Sequence, residues 1–295
     1  MNLKLTIMKL AARTKRKKDV WKTPVGERFL VPRDGKKGVD VLLYSPQRAA
    51  KPWPVLFNIH GGGWVGCDAS QMDSYCLDMA EKCGAFIVNI NYTKLDVRPF
   101  PYPQEEIRDT VLYFRKHAED YGVDPTEFVL IGYSAGGHLA AASALMLHDL
   151  GVELSAEVLC YPFLDFTKLF DLLKPEDAAL LEPLFFPDGI EKTDPAISPV
   201  FAKERQLKGL APTVFVCCGP DPLTEHAKAY REKLEGSGVP VSFRLYEEAM
   251  HGFIEVNHKE YPPQEGKNAR QEALARDAET YIAEELRKIW NGGAE

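Results

Sequence analysis

A serine between glycines is the feature of this sequence that most directly indicates chemistry. Ser134 lies in Gly132-Tyr133-Ser134-Ala135-Gly136, after the apolar run 128–131 and before the helix-forming tract 137–142. A sharp corner between a strand and a helix lifts a serine hydroxyl out of a sheet, and only residues without a Cβ fit beside such a corner. The pentapeptide alone is a weak signal, but this context predicts that Ser134 is a nucleophile.

Three successive glycines supply candidate hydrogen-bond donors. They lie in His60-Gly61-Gly62-Gly63-Trp64, directly after the apolar run 55–59. Acyl transfer builds negative charge on a carbonyl oxygen, and pre-organised backbone N–H groups stabilise that charge. We therefore expect the amides of Gly62, Gly63 and Ala135 to form an oxyanion hole, the alternative being a flexible glycine turn. His60 is expected to pin the loop by hydrogen bonding rather than to act on substrate.

A base is needed to activate Ser134, and the histidines are the candidates. The base removes the hydroxyl proton and must itself be oriented by an acid. When the serine lies at a corner between a strand and a helix, the order along the chain is serine, acid, histidine. His251, in Met250-His251-Gly252-Phe253, follows the last apolar strand and fits this order. The remaining histidines are expected to hold the glycine loop or to lie in helices and polar surroundings: His60, His117, His138, His148, His226 and His258.

Asp221 is the best candidate for the orienting acid. It lies in Cys218-Gly219-Pro220-Asp221-Pro222-Leu223, after the apolar run 214–218, and the two prolines restrict the direction of its backbone. Asp165 also follows a strand and is the competing candidate. We expect Asp165 instead to cap or anchor the start of the segment that follows it. The sequence thus predicts a triad of Ser134, His251 and Asp221.

These four motifs together resemble the hormone-sensitive-lipase-like branch of the α/β-hydrolases. The agreement covers residues 54 to about 290, and Gly-x-Ser-Ala-Gly-Gly combined with His-Gly-Gly-Gly is highly specific. The resemblance implies a carboxylic-ester hydrolase that needs no cofactor, with Ser134, Asp221 and His251 as its triad. The segments Gly-Tyr-Ser-Ala-Gly-Gly-His-Leu-Ala and Leu-Cys-Tyr-Pro are similar to those of bacterial acetyl-esterase and acetylxylan-esterase-like members.

Specificity is less clearly indicated than the reaction. The family's usual Tyr-Arg-Leu-Ala-Pro-Glu is replaced by Tyr92-Thr93-Lys94-Leu95-Asp96-Val97, and the segment before His60 is short. Trp64 and Tyr133 are expected to line the substrate pocket, and the aromatic residues that follow residue 162 would restrict it to acetyl to butyryl groups. Aromatic residues at this density are equally typical of core packing. The alternatives are a sugar-ester deacetylase, a peptidase or amidase with the same triad, and an inactive receptor.

The motifs lie at the ends of apolar runs that predict a sheet. The turn 32–35 between the runs 28–31 and 39–44 predicts an antiparallel hairpin. Further runs recur at helix-length intervals, as in a parallel sheet that is covered on both faces. They are 55–59, 86–90, 128–131, 158–161, 214–218 and 241–246. The predicted fold class is α/β, a mostly parallel twisted sheet with helices on both faces.

The chain is expected to form a single domain over residues 1–295, with an N-terminal helix or cap at 1–27. The interval before the run 214–218 is too long for a simple crossover, and residues 169–173, 178–181 and 184–187 indicate short amphipathic helices separated by Pro175, Pro183 and Pro195. We expect about 163–210 to be a lid insertion over the carboxyl ends of the strands. The alternative is a structural excursion.

Composition restricts the partners of the chain. A hydrophobic fraction of 45% is ordinary for a soluble globular protein, and a net charge of −7 argues against a nucleic-acid partner. The basic cluster 13–18 is interpreted as a solvated helix end, with a membrane- or polyanion-binding tail as the alternative. No stable membrane anchor, signal segment or metal-ligand spacing is recognised, so we expect a cytoplasmic protein that acts on a small ester without a metal or cofactor. The outer strand 241–246 is a candidate edge for a homodimer.

Overall fold

A single mixed sheet occupies the centre of the computed structural model, which describes residues 3–20, 23–172, 182, 185–186, 190–264 and 266–292. The strands are β1 (Glu27–Val31), β2 (Val39–Tyr44), β3 (Trp53–Ile59), β4 (Phe86–Ile90), β5 (Val123–Tyr133), β6 (Ala156–Cys160), β7 (Thr213–Cys218) and β8 (Val241–Tyr246). Within the described residues these eight strands are joined in the order β1-β2-β4-β3-β5-β6-β7-β8.

Strand directions agree with a hairpin that leads into a parallel sheet. β1 pairs antiparallel with β2, and β2 pairs antiparallel with β4. All pairings among β3 to β8 are parallel. Every residue of β4, β6 and β7 is buried, because parallel connections place helices over both faces of such strands. The predicted α/β fold is thereby confirmed, and β8, the candidate dimer strand, forms one edge of the sheet.

Helices divide the core into two parts, one on each face of the sheet. Within the described residues the α-helices are α1 (Leu3–Asp19), α2 (Asp73–Cys83), α3 (Tyr102–Lys116), α4 (Ala118–Tyr121), α5 (Ala135–Asp149), α6 (Glu204–Leu207), α7 (Thr224–Gly236), α8 (Phe253–Val256) and α9 (Ala269–Trp290). Side chains of α3, α5 and α7 pack on one face, and those of α2 and α9 pack on the other. Successive residues of β5 alternate between them, with Leu130 on the first face and Ile131 on the second.

The carboxyl ends of the parallel strands lie at one edge of the sheet, where the loops with the predicted motifs begin. β3 and β5 end immediately before His60 and Ser134. β7 and β8 end shortly before Asp221 and His251. Since the carboxyl ends of parallel strands meet at the same edge, the fold brings together four motifs that are far apart in the chain.

The long connection between β6 and β7 contains short helical turns. The structure describes the 3₁₀ turns Phe166–Leu172 and Pro199–Phe201, followed by α6. Asp165 Oδ1 accepts a hydrogen bond from the N–H of Thr167 at 3.0 Å, so Asp165 caps the first of these turns. The expected helix at 178–181 and the expected breaks at Pro175 and Pro183 lie outside the described residues.

The N-terminal helix α1 lies against the loop that follows β4. Arg16 Nη2 and Arg13 Nε, both from the basic cluster 13–18, lie 2.9 and 3.1 Å from Asp96 Oδ2. The Asp96 side chain is almost completely buried, so part of the basic cluster is anchored to the body of the protein rather than solvated. Among the described helices, none combines the length and the apolar character needed to cross a membrane.

Candidate active site

The backbone turns sharply at Ser134, between β5 and α5. Ser134 has φ 52° and ψ −115°, a conformation that residues with a side chain rarely adopt, so the corner is strained. Its N–H donates to the carbonyl oxygen of Cys160 at 2.9 Å, which ties the corner to β6. A Cβ at Gly136 would lie only 2.0 Å from the carbonyl oxygen of Ile59, so this position requires glycine. The corner places Ser134 at the carboxyl edge of the sheet.

Ser134, His251 and Asp221 form one chain of hydrogen bonds. His251 Nε2 lies 2.8 Å from Ser134 Oγ, and His251 Nδ1 lies 2.6 Å from Asp221 Oδ2. Asp221 is buried, and its Oδ1 accepts from the N–H of Leu223 at 3.0 Å. The side chain of His251 keeps 41% of its surface exposed, which leaves room for a substrate to approach. In this geometry an imidazole can take the hydroxyl proton while a carboxylate fixes its tautomer.

The glycine loop after β3 adopts left-handed backbone conformations at successive residues. The φ angles are 108° at Gly62, 58° at Gly63 and 61° at Trp64, and the carbonyl oxygen of Gly62 accepts from the N–H of Gly66 at 2.8 Å. Among the described residues, no acceptor meets the N–H groups of Gly62 and Gly63. The N–H of Ala135 opens α5 and has no acceptor within that helix. Each of the three groups therefore remains available to a ligand, and we call them the oxyanion-hole amides after the role that the sequence predicts for them.

His60 holds the glycine loop from inside the protein. It is fully buried, its Nδ1 lies 2.7 Å from the carbonyl oxygen of Gly61, and its Nε2 lies 3.0 Å from Lys94 Nζ. Burial and the charge of Lys94 lower the pKa of His60 to about 3. The neutral ring therefore accepts from Lys94 and donates to Gly61. Sequence reasoning did not identify Lys94, although its place in the altered family motif at 92–97 was an available signal.

Tyr133 does not line a substrate pocket, and the prediction for it was wrong. Its side chain is fully buried, its ring centroid lies 5.5 Å from that of Tyr75 in α2, and the two hydroxyls are hydrogen-bonded to each other. The reason is the alternation along β5, which places Tyr133 with Ile131 on the face covered by α2 and α9. Tyr133 thus packs beneath the sheet.

Trp64 belongs to an aromatic cluster next to Ser134. We define the aromatic cluster as Trp64, Phe100, Phe163, Phe166, Phe185 and Phe186, whose contacting rings have centroids 4.8–6.4 Å apart. The N–H of Phe163 lies 3.4 Å from the carbonyl oxygen of Ser134, which connects the cluster to the nucleophile corner. Trp64 is only 5% exposed, so it serves mainly as core packing and presents little surface to a substrate.

His226 and His258 are both buried, and of the two His258 keeps the polar surroundings expected for it. His226 packs edge-on against Phe163, and His258 Nε2 lies 3.0 Å from Glu279 Oε1. In the part of the chain that the structure describes, His, Cys, Asp and Glu side chains do not form a group of three or more that could hold a metal ion. His226 therefore contributes to packing, and His258 links the segment after α8 to Glu279 in α9.

Comparisons with known proteins identify the fold of this chain. A family model described as alpha/beta hydrolase fold matches residues 56–255. The AB hydrolase superfamily protein C1039.03 of Schizosaccharomyces pombe is 27% identical over 248 residues, which are 76% of this chain and 72% of the relative. An arylesterase of Saccharolobus solfataricus is 28% identical over 255 residues, 80% of each chain. The solved structure of a hyperthermophilic esterase from the archaeon Pyrobaculum calidifontis has a TM-score of 0.76 at 24% identity, over 98% of this chain and 94% of that one. Because the family model matches more than half of its length, the chain belongs to the α/β-hydrolase fold family.

Proposed function

We propose that this chain is a serine carboxylesterase with Ser134, His251 and Asp221 as its catalytic triad. The observation that carries the proposal is the pair of contacts made by His251, 2.8 Å to Ser134 Oγ and 2.6 Å to Asp221 Oδ2. The same constellation supports acyl transfer on unrelated folds, so geometry and roles are the relevant criteria. An arylesterase among the relatives supports esters as the substrate class.

In the proposed reaction Ser134 Oγ attacks the ester carbonyl carbon while His251 Nε2 takes the hydroxyl proton. Asp221 accepts the Nδ1–H of His251 and stabilises the imidazolium that forms. The oxyanion-hole amides meet the negative charge on the carbonyl oxygen, and each lowers the barrier by about 3 kcal/mol. His251 then protonates the leaving alcohol, and a water molecule deprotonated by the same imidazole releases the acid from the acyl-enzyme.

We further propose that the preferred acyl groups are short, acetyl to butyryl. The packed rings of the aromatic cluster fill the volume beside the nucleophile corner, and Phe163 itself is only 4% exposed. A filled volume does not admit a long acyl chain. We also propose that residues 1–27 act as a cap and residues 163–210 as a lid. The cap is supported by the hydrogen bond from Arg16 to the carbonyl oxygen of Val65, which lies beside the glycine loop.

A panel of p-nitrophenyl esters from acetate to decanoate tests the reaction and the chain length together. We expect turnover of acetate to butyrate by the wild-type protein and a loss of several orders of magnitude in a folded Ser134→Ala variant. A fluorophosphonate should label the wild-type protein at Ser134 and leave the variant unlabelled. Turnover by Ser134→Ala near that of the wild type would refute the triad, and a preference beyond about eight carbons would refute the short acyl pocket.

Two additional substrates separate the neighbouring activities. Acetylated xylo-oligosaccharides report sugar-ester deacetylation, which uses the same acyl-enzyme but a larger alcohol site. Aminoacyl p-nitroanilides report amide hydrolysis, which the same triad can perform. We expect p-nitrophenyl acetate to be the best of these substrates, and a higher kcat/KM for the anilides would contradict an esterase.

A further inference from the structure

A buried carboxylate connects the base loop to the glycine loop. Glu255 lies in α8, which begins just after His251, and its Oε1 accepts a hydrogen bond from the N–H of Gly61 at 2.8 Å, across 194 residues of chain. The Glu255 side chain is only 4% exposed. The mechanism described above does not use this group, although it lies between the base loop and the loop that carries two of the oxyanion-hole amides.

Gly61 is needed for the approach of this carboxylate. Unlike Gly62 and Gly63, it does not have a positive φ, so its backbone conformation alone does not require glycine. A Cβ at Gly61 would lie 2.9 and 3.0 Å from the two carboxylate oxygens of Glu255. The first glycine of the triplet therefore provides the space in which Glu255 reaches the backbone.

Hydrogen bonds hold the peptide groups on both sides of Gly61. Glu255 takes its N–H, while His60 Nδ1 lies 2.7 Å from its carbonyl oxygen. The N–H of Gly62 belongs to the same planar peptide unit as that carbonyl and points in the opposite direction. Because the carbonyl of Gly61 points towards the protein interior, the N–H of Gly62, one of the oxyanion-hole amides, is fixed so that it points away from the interior.

The charge of Glu255 is coupled to that of His251. Burial raises the pKa of Glu255 to about 7, and this rise is opposed first by the hydrogen bond from the N–H of Gly61 and then by the positive charge of His251. The other ionisable groups around it come from the ends of β4 and β6 and from the segment after α8, and burial raises the pKa of each, so they are uncharged near neutral pH: Tyr92, Cys160, Tyr161 and Tyr261. Among these neighbours, His251 is the group that becomes charged during the proposed reaction.

We propose that Glu255 is a positioning residue of the active site, which fixes the oxyanion loop through Gly61 and, in its ionised form, stabilises the imidazolium of His251. This inference is built on the proposed esterase function. Glu255 does not touch the reacting atoms, so its effect falls on kcat and on the pH profile rather than on KM. The acid limb of kcat/KM then depends on two groups, because both His251 and Glu255 must lose a proton for full activity.

The test compares Glu255→Gln and Glu255→Ala with the wild type and with a matched control, Glu157→Gln. Glu157 is a buried carboxyl in β6, and its side chain lies away from the site, beside Thr213 at the start of β7. Glu255→Gln keeps an acceptor for Gly61 but loses the charge, so kcat for p-nitrophenyl acetate should fall about tenfold with KM within about twofold. Glu255→Ala loses both and should fall about a hundredfold, within the range seen when an oxyanion donor is removed. Glu157→Gln should keep the wild-type kcat.

The pH profile separates positioning from a merely structural role. In the wild type and in Glu157→Gln the acid limb of log(kcat/KM) should be steeper than 1, with a slope of about 1.5 at its steepest, because protonated Glu255 retains about a tenth of the activity. In Glu255→Gln the slope should be about 1. Equal kcat and equal slopes in Glu255→Gln and the wild type would overturn the proposal. If Glu255→Gln does not fold, the rate of fluorophosphonate labelling of the wild-type protein is measured as a function of pH. An acid limb of that rate with a slope of only 1 would overturn the proposal, and a steeper limb would support it. Failure of the esterase function is distinguishable, because the wild-type protein would then neither turn over the ester nor be labelled.

Discussion

The indole N–H of Trp64 donates to Nδ1 of His138 at 3.1 Å, and Nε2 of the same ring lies 2.8 Å from the carbonyl oxygen of Ile197. The two contacts require a neutral ring with its proton on Nε2. His138 therefore joins three parts of the chain: the glycine loop, the helix that follows Ser134 and the later half of the long β6–β7 connection. Its fully buried position lowers its pKa to about 3.

Replacing His138 with Phe should reduce stability most strongly at neutral pH. The change leaves the indole N–H and a carbonyl oxygen unpaired, which costs about 1–3 kcal/mol each. The unfolded chain binds a proton at His138 below about pH 6.5, whereas the folded protein binds it only near pH 3. As the pH falls between these values, this group lowers the free energy of unfolding of the wild type by up to about 1.4 kcal/mol per pH unit. The difference between wild type and variant should therefore narrow towards pH 4.

Urea unfolding at about pH 7, 5.5 and 4 measures this effect. The half-exposed His148, whose Nε2 lies near a backbone carbonyl oxygen, supplies the control His148→Gln. The control should run parallel to the wild type across the series. A His138→Phe variant that also runs parallel would contradict a neutral, buried His138.

The identity of the catalytic acid is tested by paired substitutions. Asp221→Asn should lower kcat by about 10⁴, because an amide stabilises the wrong tautomer of His251. Asp165→Asn should keep esterase activity, since the Asp165 side chain is occupied by the N–H of Thr167. Measuring p-nitrophenyl acetate hydrolysis by both variants, with thermal melting to verify folding, decides between the two carboxylates. A larger loss in Asp165→Asn would reverse the assignment.

The aromatic cluster should control acyl-chain length. Phe163→Leu removes part of a ring of the cluster at the residue whose N–H contacts the carbonyl oxygen of Ser134. We expect it to raise the ratio of octanoate to acetate kcat/KM by about tenfold, with a stability cost of about 1–3 kcal/mol. Phe215→Leu is the matched control, because Phe215 is fully buried in β7 and packs on Phe243 rather than on the cluster. An unchanged ratio in Phe163→Leu, or an equal change in both variants, would argue that the cluster does not limit the acyl site.

Glu157→Gln should raise the free energy of unfolding above that of the wild type in mildly alkaline solution, but not in acid solution. Burial raises the pKa of Glu157 from 4.5 to about 8, and one of its carboxyl oxygens has no partner in the described structure. The folded protein thus retains a proton that the unfolded chain has released, so the free energy of unfolding of the wild type falls by about 1.4 kcal/mol per pH unit between about pH 4.5 and 8. Glutamine removes this dependence and mimics the protonated acid.

Denaturant unfolding near pH 5 and pH 8 compares Glu157→Gln with the wild type. Glu153→Gln, at an exposed carboxyl near the same end of the sheet, serves as the control and should show no such gain. We expect similar stabilities at pH 5 and a clear advantage of Glu157→Gln at pH 8. Equal behaviour of the two variants at pH 8 would show that Glu157 is ionised in the folded protein.

The strands and the order of the motifs were predictable because each depends on local patterns. Apolar runs mark the parallel strands, and a glycine or proline follows closely after β3, β5, β6 and β7. Asp221 and His251 could be assigned to one site because the carboxyl ends of parallel strands share an edge. The placement of Asp165 also followed from a local rule, since Asp accepts hydrogen bonds from the amides that start a helical turn.

Contacts between distant segments were beyond the sequence. His138 lies one turn after Ser134, and nothing nearby shows that its partners are Trp64 and Ile197. Glu255 binds the N–H of Gly61 across 194 residues of chain, and the sequence pattern around either residue does not indicate this contact. Tyr133 differs, because continuing the alternation of β5 by two residues beyond Ile131 would have placed it on the correct face.

The strained backbone at Ser134 lowers the stability of the protein at the position of its proposed nucleophile. Its φ of 52° and ψ of −115° cost a side-chain-bearing residue of the order of 1–3 kcal/mol, whereas glycine adopts such angles freely. A Ser134→Gly protein should therefore be inactive yet more heat-resistant than the wild type, by about 1 kcal/mol after the greater flexibility of unfolded glycine is included. A mutagenesis screen for heat resistance alone would therefore select variants that have lost the Ser134 nucleophile. Any selection for thermostability on this chain has to be coupled to an activity assay.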